Sequence, residues 1–168
     1  MDYVYRYESP LGSMTMASDG NALTGLWFDG QKYDAATLSA CRMEQYLPVF
    51  GETVRWLDIY FSGRVPDFTP ALSLSATPFR RAVWVILMTV PYGHTVTYGD
   101  IARRYAGQAG TDRVSARAVG GAVGHNPVSL IIPCHRVVGA GGRLTGYAAG
   151  LDRKIRLLRM EQADGYGG

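Results

Sequence analysis

Only two cysteines, Cys41 and Cys134, occur in the 168 residues. Two thiols cannot build a disulfide framework or a four-thiolate zinc site. Staples are not needed either, because a chain of this length buries roughly 70% of the surface its unfolded form exposes. Long apolar runs are also missing: the strongest, Ala82 to Met88, spans seven residues, against the roughly 18 that a membrane span requires. The start, Met1-Asp2-Tyr3-Val4, lacks the basic-then-apolar pattern of a secretory signal. These absences lead us to expect a soluble cytoplasmic protein with free thiols and no membrane partner. Internal repeats and low-complexity segments are absent from the sequence as well.

Lysine is scarce, with Arg outnumbering it 15 to 2, and charge of one sign is unevenly spread. Residues 1–77 carry 5 Lys/Arg and 9 Asp/Glu, a net of −4, whereas residues 78–168 carry 12 and 5, a net of +7. A basic half suits a polyanion, and the planar fork of Arg suits phosphate. A solvated basic surface would account for the same numbers.

The first half reads as a small β-rich α+β unit, residues 1–75. Tyr3-Val4-Tyr5-Arg6-Tyr7 alternates as a strand does, and Ser9-Pro10-Leu11-Gly12 is turn-like. Further strands are expected at Ser13–Ala17 and Leu23–Phe28, joined by a turn at Asp19-Gly20-Asn21. A helix is expected over Val49–Phe61, followed by connecting chain over Ser62–Ser75. Cys41 has no histidine beside it and reads as structural.

The second half, residues 76–168, reads as mainly helical. Thr77-Pro78 opens a helix through Met88 with a cap before a first-turn proline. A second helix is expected from Tyr98 to Tyr105 with Thr97 as its cap, then a loop over Ala106–Asp112 and a third helix from Arg113 to Val123. This helix-turn-helix is compatible with DNA binding, though helix pairs of this kind are common in α-rich domains. The third helix is odd: Gly120, Gly121 and Gly124 each cost it about 1 kcal/mol relative to alanine. Ala118, Gly121 and Ala122 share a face by spacing, which suits close approach to a neighbouring helix or to a narrow groove. A last helix, Leu151–Glu161, carries Arg153, Lys154, Arg156 and Arg159, and the tail from Ala163 reads as frayed.

Ser129–Ile132 is apolar and reads as a buried strand that ends at Pro133-Cys134-His135-Arg136. A thiol beside His and Arg sits in a potentially electropositive site, where a depressed pKa would raise the thiolate fraction. The thiolate is the nucleophile, so Cys134 is a candidate reactive cysteine, with an inert buried cysteine as the alternative. His94 reads as solvated in a turn. His125 sits at a helix end, where it complements the dipole. No His–Cys spacing suits a metal, so no metal or cofactor is expected. The glycine-rich stretch after Val138 lacks the Gly-Lys-Ser/Thr ending of a phosphate loop.

Asn126-Pro127 with Ile132-Pro133-Cys134-His135-Arg136-Val137-Val138 resembles the signature of the O6-alkylguanine-DNA alkyltransferases. The resemblance extends through Pro91-Tyr92-Gly93, Tyr98-Gly99-Asp100-Ile101-Ala102, Arg117-Ala118-Val119-Gly120, Gly146-Tyr147 and Leu157-Leu158 to Glu161. It covers nearly all of residues 78–161, and Ser9–Gly12 and Leu23–Phe28 resemble the amino-terminal half of bacterial members. The resemblance implies a ribonuclease-H-like first domain and a helix-turn-helix second domain. It implies repair of O6-alkylguanine, and of O4-alkylthymine, in double-stranded DNA by irreversible single-turnover transfer of the alkyl group to Cys134. His135 would take the thiol proton through a water, Glu161 would orient His135, and Asn126 would support the turns of the site. Tyr98 would act near the target phosphate and donate to the base as it rotates out, and Arg117 would fill the vacated stack. Base extrusion is expected because O6 is closed to in-line attack inside a duplex. Ala118, Gly121 and Ala122 would enter the minor groove, Tyr147 would wall the base pocket, and the backbone of Val137 and Ala148 would contact the guanine edge. The protein is expected to be monomeric, with cooperative assembly on DNA open.

Two features depart from the family pattern. The segment between Tyr98 and Arg117 is longer than expected and brings in Arg113 as a further phosphate contact. Ala149 stands where glycine is expected, implying a tighter pocket that favours methyl over bulky adducts. Two rival functions remain distinct from repair. One is a damage binder, which would lack the cysteine. The other is a cysteine-sensing regulator, which would carry a cysteine-rich zinc domain.

Overall fold

The computed structural model describes residues 1–33, 38–111 and 114–167. It divides into two compact units: residues 1–75 with 127–129, and residues 76–126 with 130–168. The chain is α+β, with a sheet in the first unit and mostly helices in the second.

In the first unit, β1 (Asp2–Ser9), β2 (Gly12–Ser18) and β3 (Leu23–Phe28) form an antiparallel meander. The turn between β2 and β3 is fixed by Asp19, whose Oδ1 accepts from the N–H groups of Asn21 and Ala22 at 2.9 and 3.0 Å. A short strand, β4 (Arg42–Glu44), pairs parallel to β1 and completes the order β3-β2-β1-β4. Its three residues are all exposed, so it shows no alternation from which sequence could predict it. Cys41 precedes it and is exposed, which corrects the expectation of a structural thiol. Helix α1 (Pro48–Phe61) supplies Phe50, Leu57 and Tyr60 to the core with Met14, Met16, Leu26 and Phe28 from the sheet.

Residues 127–129 return to this unit. Leu26 N–H donates to the Pro127 carbonyl and Ser129 N–H to the Leu26 carbonyl, both at 2.8 Å. They occupy part of the free edge of β3, which would otherwise display unpaired backbone groups. Ser129–Ile132 is therefore a buried turn with isolated bridges rather than a strand, and Leu130 has a left-handed φ of 71°. The apolar run foretold the burial. A left-handed residue cannot continue a strand, and burial alone does not distinguish the two.

The second unit begins with α2 (Pro78–Leu87), capped by the Thr77 hydroxyl on Arg80 N–H. Its Trp84 indole N–H donates to the Ala122 carbonyl at 2.8 Å, fixing α2 against α4 (Ala116–Gly124). Between them α3 (Tyr98–Ala109) opens with a reciprocal box, Thr97 Oγ1 on Asp100 N–H and Asp100 on Thr97 N–H. It runs to Ala109 rather than Tyr105, because Gly107 is tolerated inside the helix and Gly110 ends it at φ 67°. Much of the long Tyr98–Arg117 segment is thus absorbed into α3. Helix α4 starts at Ala116, with Ser115 as cap, rather than at Arg113. Arg113 lies outside the described residues.

A two-stranded parallel pair, β5 (Val96–Thr97) and β6 (Val137–Val138), sets the N-terminus of α3 beside the segment that follows Cys134. Helix α5 (Leu151–Met160) closes the unit. The tail is anchored rather than frayed: Gly167 N–H donates to the Gly142 carbonyl at 2.9 Å and Thr95 Oγ1 to the Asp164 carbonyl at 3.1 Å. Gly142 sits at φ 83°, and a Cβ there would lie 2.3 Å from the Gly165 carbonyl oxygen, so glycine permits this contact.

Candidate active site

Cys134, His135 and Arg136 form one turn of 3-10 helix between Pro133 and β6. A tight turn spreads successive side chains around its axis by about 120°, whereas an extended chain would put Cys134 and His135 on opposite faces. All three side chains are buried, with Cys134 at 5% and His135 at 0% exposure.

The opposite wall comes from α5. Lys154, Leu157, Leu158 and Glu161 share its inner face at helical spacing, and all four are buried. Glu161 is the focus of the polar network. Its Oε2 lies 2.6 Å from His135 Nε2, and Oε1 accepts from Arg136 Nε at 2.8 Å and from Gly93 N–H at 3.3 Å. Arg136 also donates to Oε2 at 3.2 Å and to the Val90 carbonyl at 2.8 Å, and its guanidinium lies over the Tyr92 ring. Burial alone would push the Glu161 carboxyl up, but the His135 and Arg136 bonds outweigh it and hold the carboxyl well below the usual range. It is a permanent anion at neutral pH.

Burial pushes His135 down against the pull of Glu161, so its resting form is the neutral imidazole. With Nε2 held by the carboxylate, Nδ1 is the nitrogen that can take a proton. Burial pushes the Cys134 thiol up; hydrogen bonding from Asn126, the charge of Lys154, and the Tyr147 hydroxyl oppose it without reversing it. The expected depressed thiol pKa is therefore corrected: desolvation wins, and the resting sulfur is protonated. Such a thiol needs a base when it reacts, and a neutral imidazole follows it in the same turn.

Asn126 follows α4 and donates from Nδ2 to the Ile132 carbonyl at 2.7 Å, pinning the buried turn before Cys134. Tyr147 follows in the glycine-rich loop, and burial, followed by the charge of Cys134, pushes its hydroxyl well above its ordinary value. It remains a donor. Ala148 lies in the next turn, closed by Gly150 N–H on the Tyr147 carbonyl. Ala149 is buried. The Val137 carbonyl accepts from Lys154 Nζ at 2.6 Å. Tyr98 opens α3, half-buried, with its hydroxyl 3.0 Å from Thr145 Oγ1.

The site thus gathers Cys134, His135, Glu161, Asn126 and Tyr147, with Val137, Ala148 and Tyr98 in the same unit. On α4, Arg117, Ala118 and Gly121 are exposed. Ala122 is not: it is 1% exposed and packed toward α2, because the helix turns it onto the buried side with Val119 and Val123. That corrects its place on the open face. Two residues hold places in the polar network that the sequence did not assign them, Arg136, read only as a cation beside the thiol, and Lys154, read only as a charge on the last helix. Lys154 is the one lysine of the second half and sits at the spacing of Leu157 and Leu158. A cation on an apolar helix face was the available signal.

A buried thiol in one turn with a neutral imidazole that a carboxylate holds is an arrangement suited to a cysteine nucleophile, here built onto a capped helix pair. Comparison with known proteins narrows the class. Residues 78–163 match the family described as 6-O-methylguanine DNA methyltransferase, DNA binding domain, and residues 3–74 match its ribonuclease-like domain. A methylated-DNA–protein-cysteine methyltransferase of Mycobacterium leprae is 42% identical over 158 residues, 92% of this chain and 89% of that protein. One of Methanosarcina acetivorans is 41% identical, covering 95% of this chain and 97% of that protein. Among solved structures, a Mycobacterium tuberculosis OGT in complex with DNA superposes with a TM-score of 0.82 at 41% identity, covering 95% of this chain and 92% of that one. The chain belongs to the 6-O-methylguanine DNA methyltransferase family, whose named members move a methyl group from DNA to a protein cysteine.

Proposed function

We propose that the protein repairs O6-alkylguanine in double-stranded DNA by taking the alkyl group onto Cys134, once per molecule. The buried Cys134 thiol next to the His135–Glu161 pair carries this reading. Cys134 gives its proton, through a water, to Nδ1 of His135, and the anionic Glu161 stabilises the imidazolium that forms. The sulfur attacks the alkyl carbon. An S–C bond forms as the O6–C bond breaks, and the guanine left behind takes up one proton. Overall, the thiol hydrogen is exchanged for the alkyl group. The thioether has no base-driven way back, so the reaction stops at one turnover.

The second unit, 76–168, binds DNA and accepts the alkyl group, and the first, 1–75, is structural. The exposed face of α4, with Ala118 and Gly121, enters the minor groove, and small side chains let its backbone approach closely. Arg117 fills the gap left by the base, which must be extruded for an attack on the alkyl carbon in line with its bond to O6. Tyr98 donates to the base, Tyr147 walls its pocket, and Val137 and Ala148 present backbone groups to its edge. O4-alkylthymine offers a similar exocyclic alkoxy group and is a second substrate. The protein works as a monomer in the cytoplasm, with cooperative loading on DNA as a separate property to be measured by titration.

The decisive experiment is intact mass after incubation with a duplex carrying one O6-methylguanine. A single added methylene, absent in Cys134→Ser, is the expected result. No gain, with lesion DNA still bound, would replace repair by damage binding.

A further inference from the structure

Tyr98 stands on α3 and Lys154 on α5, and the hydroxyl of Thr145 lies between them. Thr145 Oγ1 is 3.0 Å from the Tyr98 hydroxyl and 3.5 Å from Lys154 Nζ. Lys154 is fully enclosed, and its three N–H hydrogens are shared between the Thr145 hydroxyl and the carbonyls of Val137 at 2.6 Å, Thr145 at 3.4 Å and Gly146 at 3.5 Å. An ammonium has donors only, whereas a hydroxyl has one hydrogen and two lone pairs. The cation draws the Thr145 oxygen toward itself and turns the hydroxyl hydrogen away. Of the two directions open to the Thr145–Tyr98 contact, this favours Thr145 as donor and Tyr98 as acceptor, which leaves the Tyr98 hydrogen for a guest.

We propose that Thr145 is a positioning residue for the transfer reaction: it links Lys154 to Tyr98 and fixes the Tyr98 hydroxyl as a donor toward the extruded base. The inference rests on the reading above, in which Tyr98 donates to that base. Two further observations support it. The branched side chain splits its work: a Cβ on Gly139 would lie 3.1 Å from Thr145 Cγ2, so the methyl is seated on the loop while the hydroxyl faces the site. Burial lowers Lys154 to about 8, opposed by Cys134, so the ammonium form still predominates at neutral pH.

Thr145→Val keeps the shape and the seated methyl but removes the hydroxyl. Its transfer from an O6-methylguanine duplex is expected to slow about fivefold, the worth of one hydrogen bond. Thr145→Ser should restore the rate to within about twofold, since it returns that bond. In a Tyr98→Phe background, Thr145→Val should add no further loss. A second readout is independent of activity: NMR titration of the Lys154 ε-carbon should shift on Tyr98→Phe in the natural protein but not in Thr145→Val. Thr145→Ala takes the same tests if the valine variant does not fold. A native rate in Thr145→Val, losses that multiply with Tyr98→Phe, or a Lys154 titration indifferent to Tyr98 would each overturn the proposal. A natural protein that transfers nothing would sink the repair reading instead, and the lysine titration would then decide the link by itself.

Discussion

Replacing Glu161 by Gln keeps the shape of the side chain and removes its charge. Four contacts converge on the carboxylate: His135 Nε2 at 2.6 Å, Arg136 at 2.8 and 3.2 Å, and Gly93 N–H at 3.3 Å. An amide can accept at one position only, and its NH2 must face a donor. The Arg136 guanidinium, itself buried, is left with a neutral partner. Breaking a buried ion pair on one side costs about 3–5 kcal/mol. At roughly 2–4 °C per kcal/mol for a chain of this size, melting should fall by about 10 °C. Reactivity should fall separately. The imidazolium formed on His135 loses a charge-assisted bond worth about 1.5–3 kcal/mol, a slowing of roughly 10- to 150-fold. The assay is the mass-resolved time course of methyl transfer, run well below the variant's melting temperature with circular dichroism confirming the fold. A Gln variant that is folded and transfers within about threefold of the natural rate would refute the role of the carboxylate, because even the weakest charge-assisted bond predicts more.

Acid should destabilise the protein in two stages. His135 is held below its ordinary 6.5, so the unfolded chain binds its proton more readily, and stability drops as pH falls below that value. Glu161 is held below 4.5, so its contribution is complete above that pH and is lost as pH falls through the folded value. Urea melts at pH 7.5, 5.5 and 3.5 should show both losses; equal midpoints at pH 7.5 and 5.5 would contradict the neutral buried imidazole. Arg117→Ala, on the exposed face of α4, should weaken repair of duplex lesions while leaving attack on free O6-benzylguanine unchanged, and equal losses on both substrates would remove its role in the stack. Thr97→Ala breaks the box at the start of α3 and should cost about 1 kcal/mol in urea unfolding; a smaller loss than about 0.3 kcal/mol would mean the cap is dispensable.

Much of this molecule could be read before it folded. The proline after Thr77, the Thr97–Asp100 spacing and the alternation in β2 and β3 are local signals. Each acts through the backbone of its own few residues, so the starts of α2 and α3 and the meander followed from sequence order alone. The Pro-Cys-His-Arg run with its flanks also singled out Cys134 as the candidate nucleophile, because thiol, imidazole and guanidinium are neighbours in one short segment. Tertiary structure decided what depends on distant partners. β4 exists only because β1 offers it an edge, and Ser129–Ile132 is a turn because Leu26 takes up its neighbours' hydrogen bonds. Ala122 is buried because α4 turns it, with Val119 and Val123, onto its packed side, where Trp84 of α2 reaches its carbonyl. The electrostatics of the site changed most. Sequence proximity to His and Arg argued for an acidic thiol, but burial raises Cys134, neutralises His135 and leaves Glu161 as the anion, balanced by Arg136. Desolvation is a property of everything packed around a group, and no window of neighbouring residues contains it.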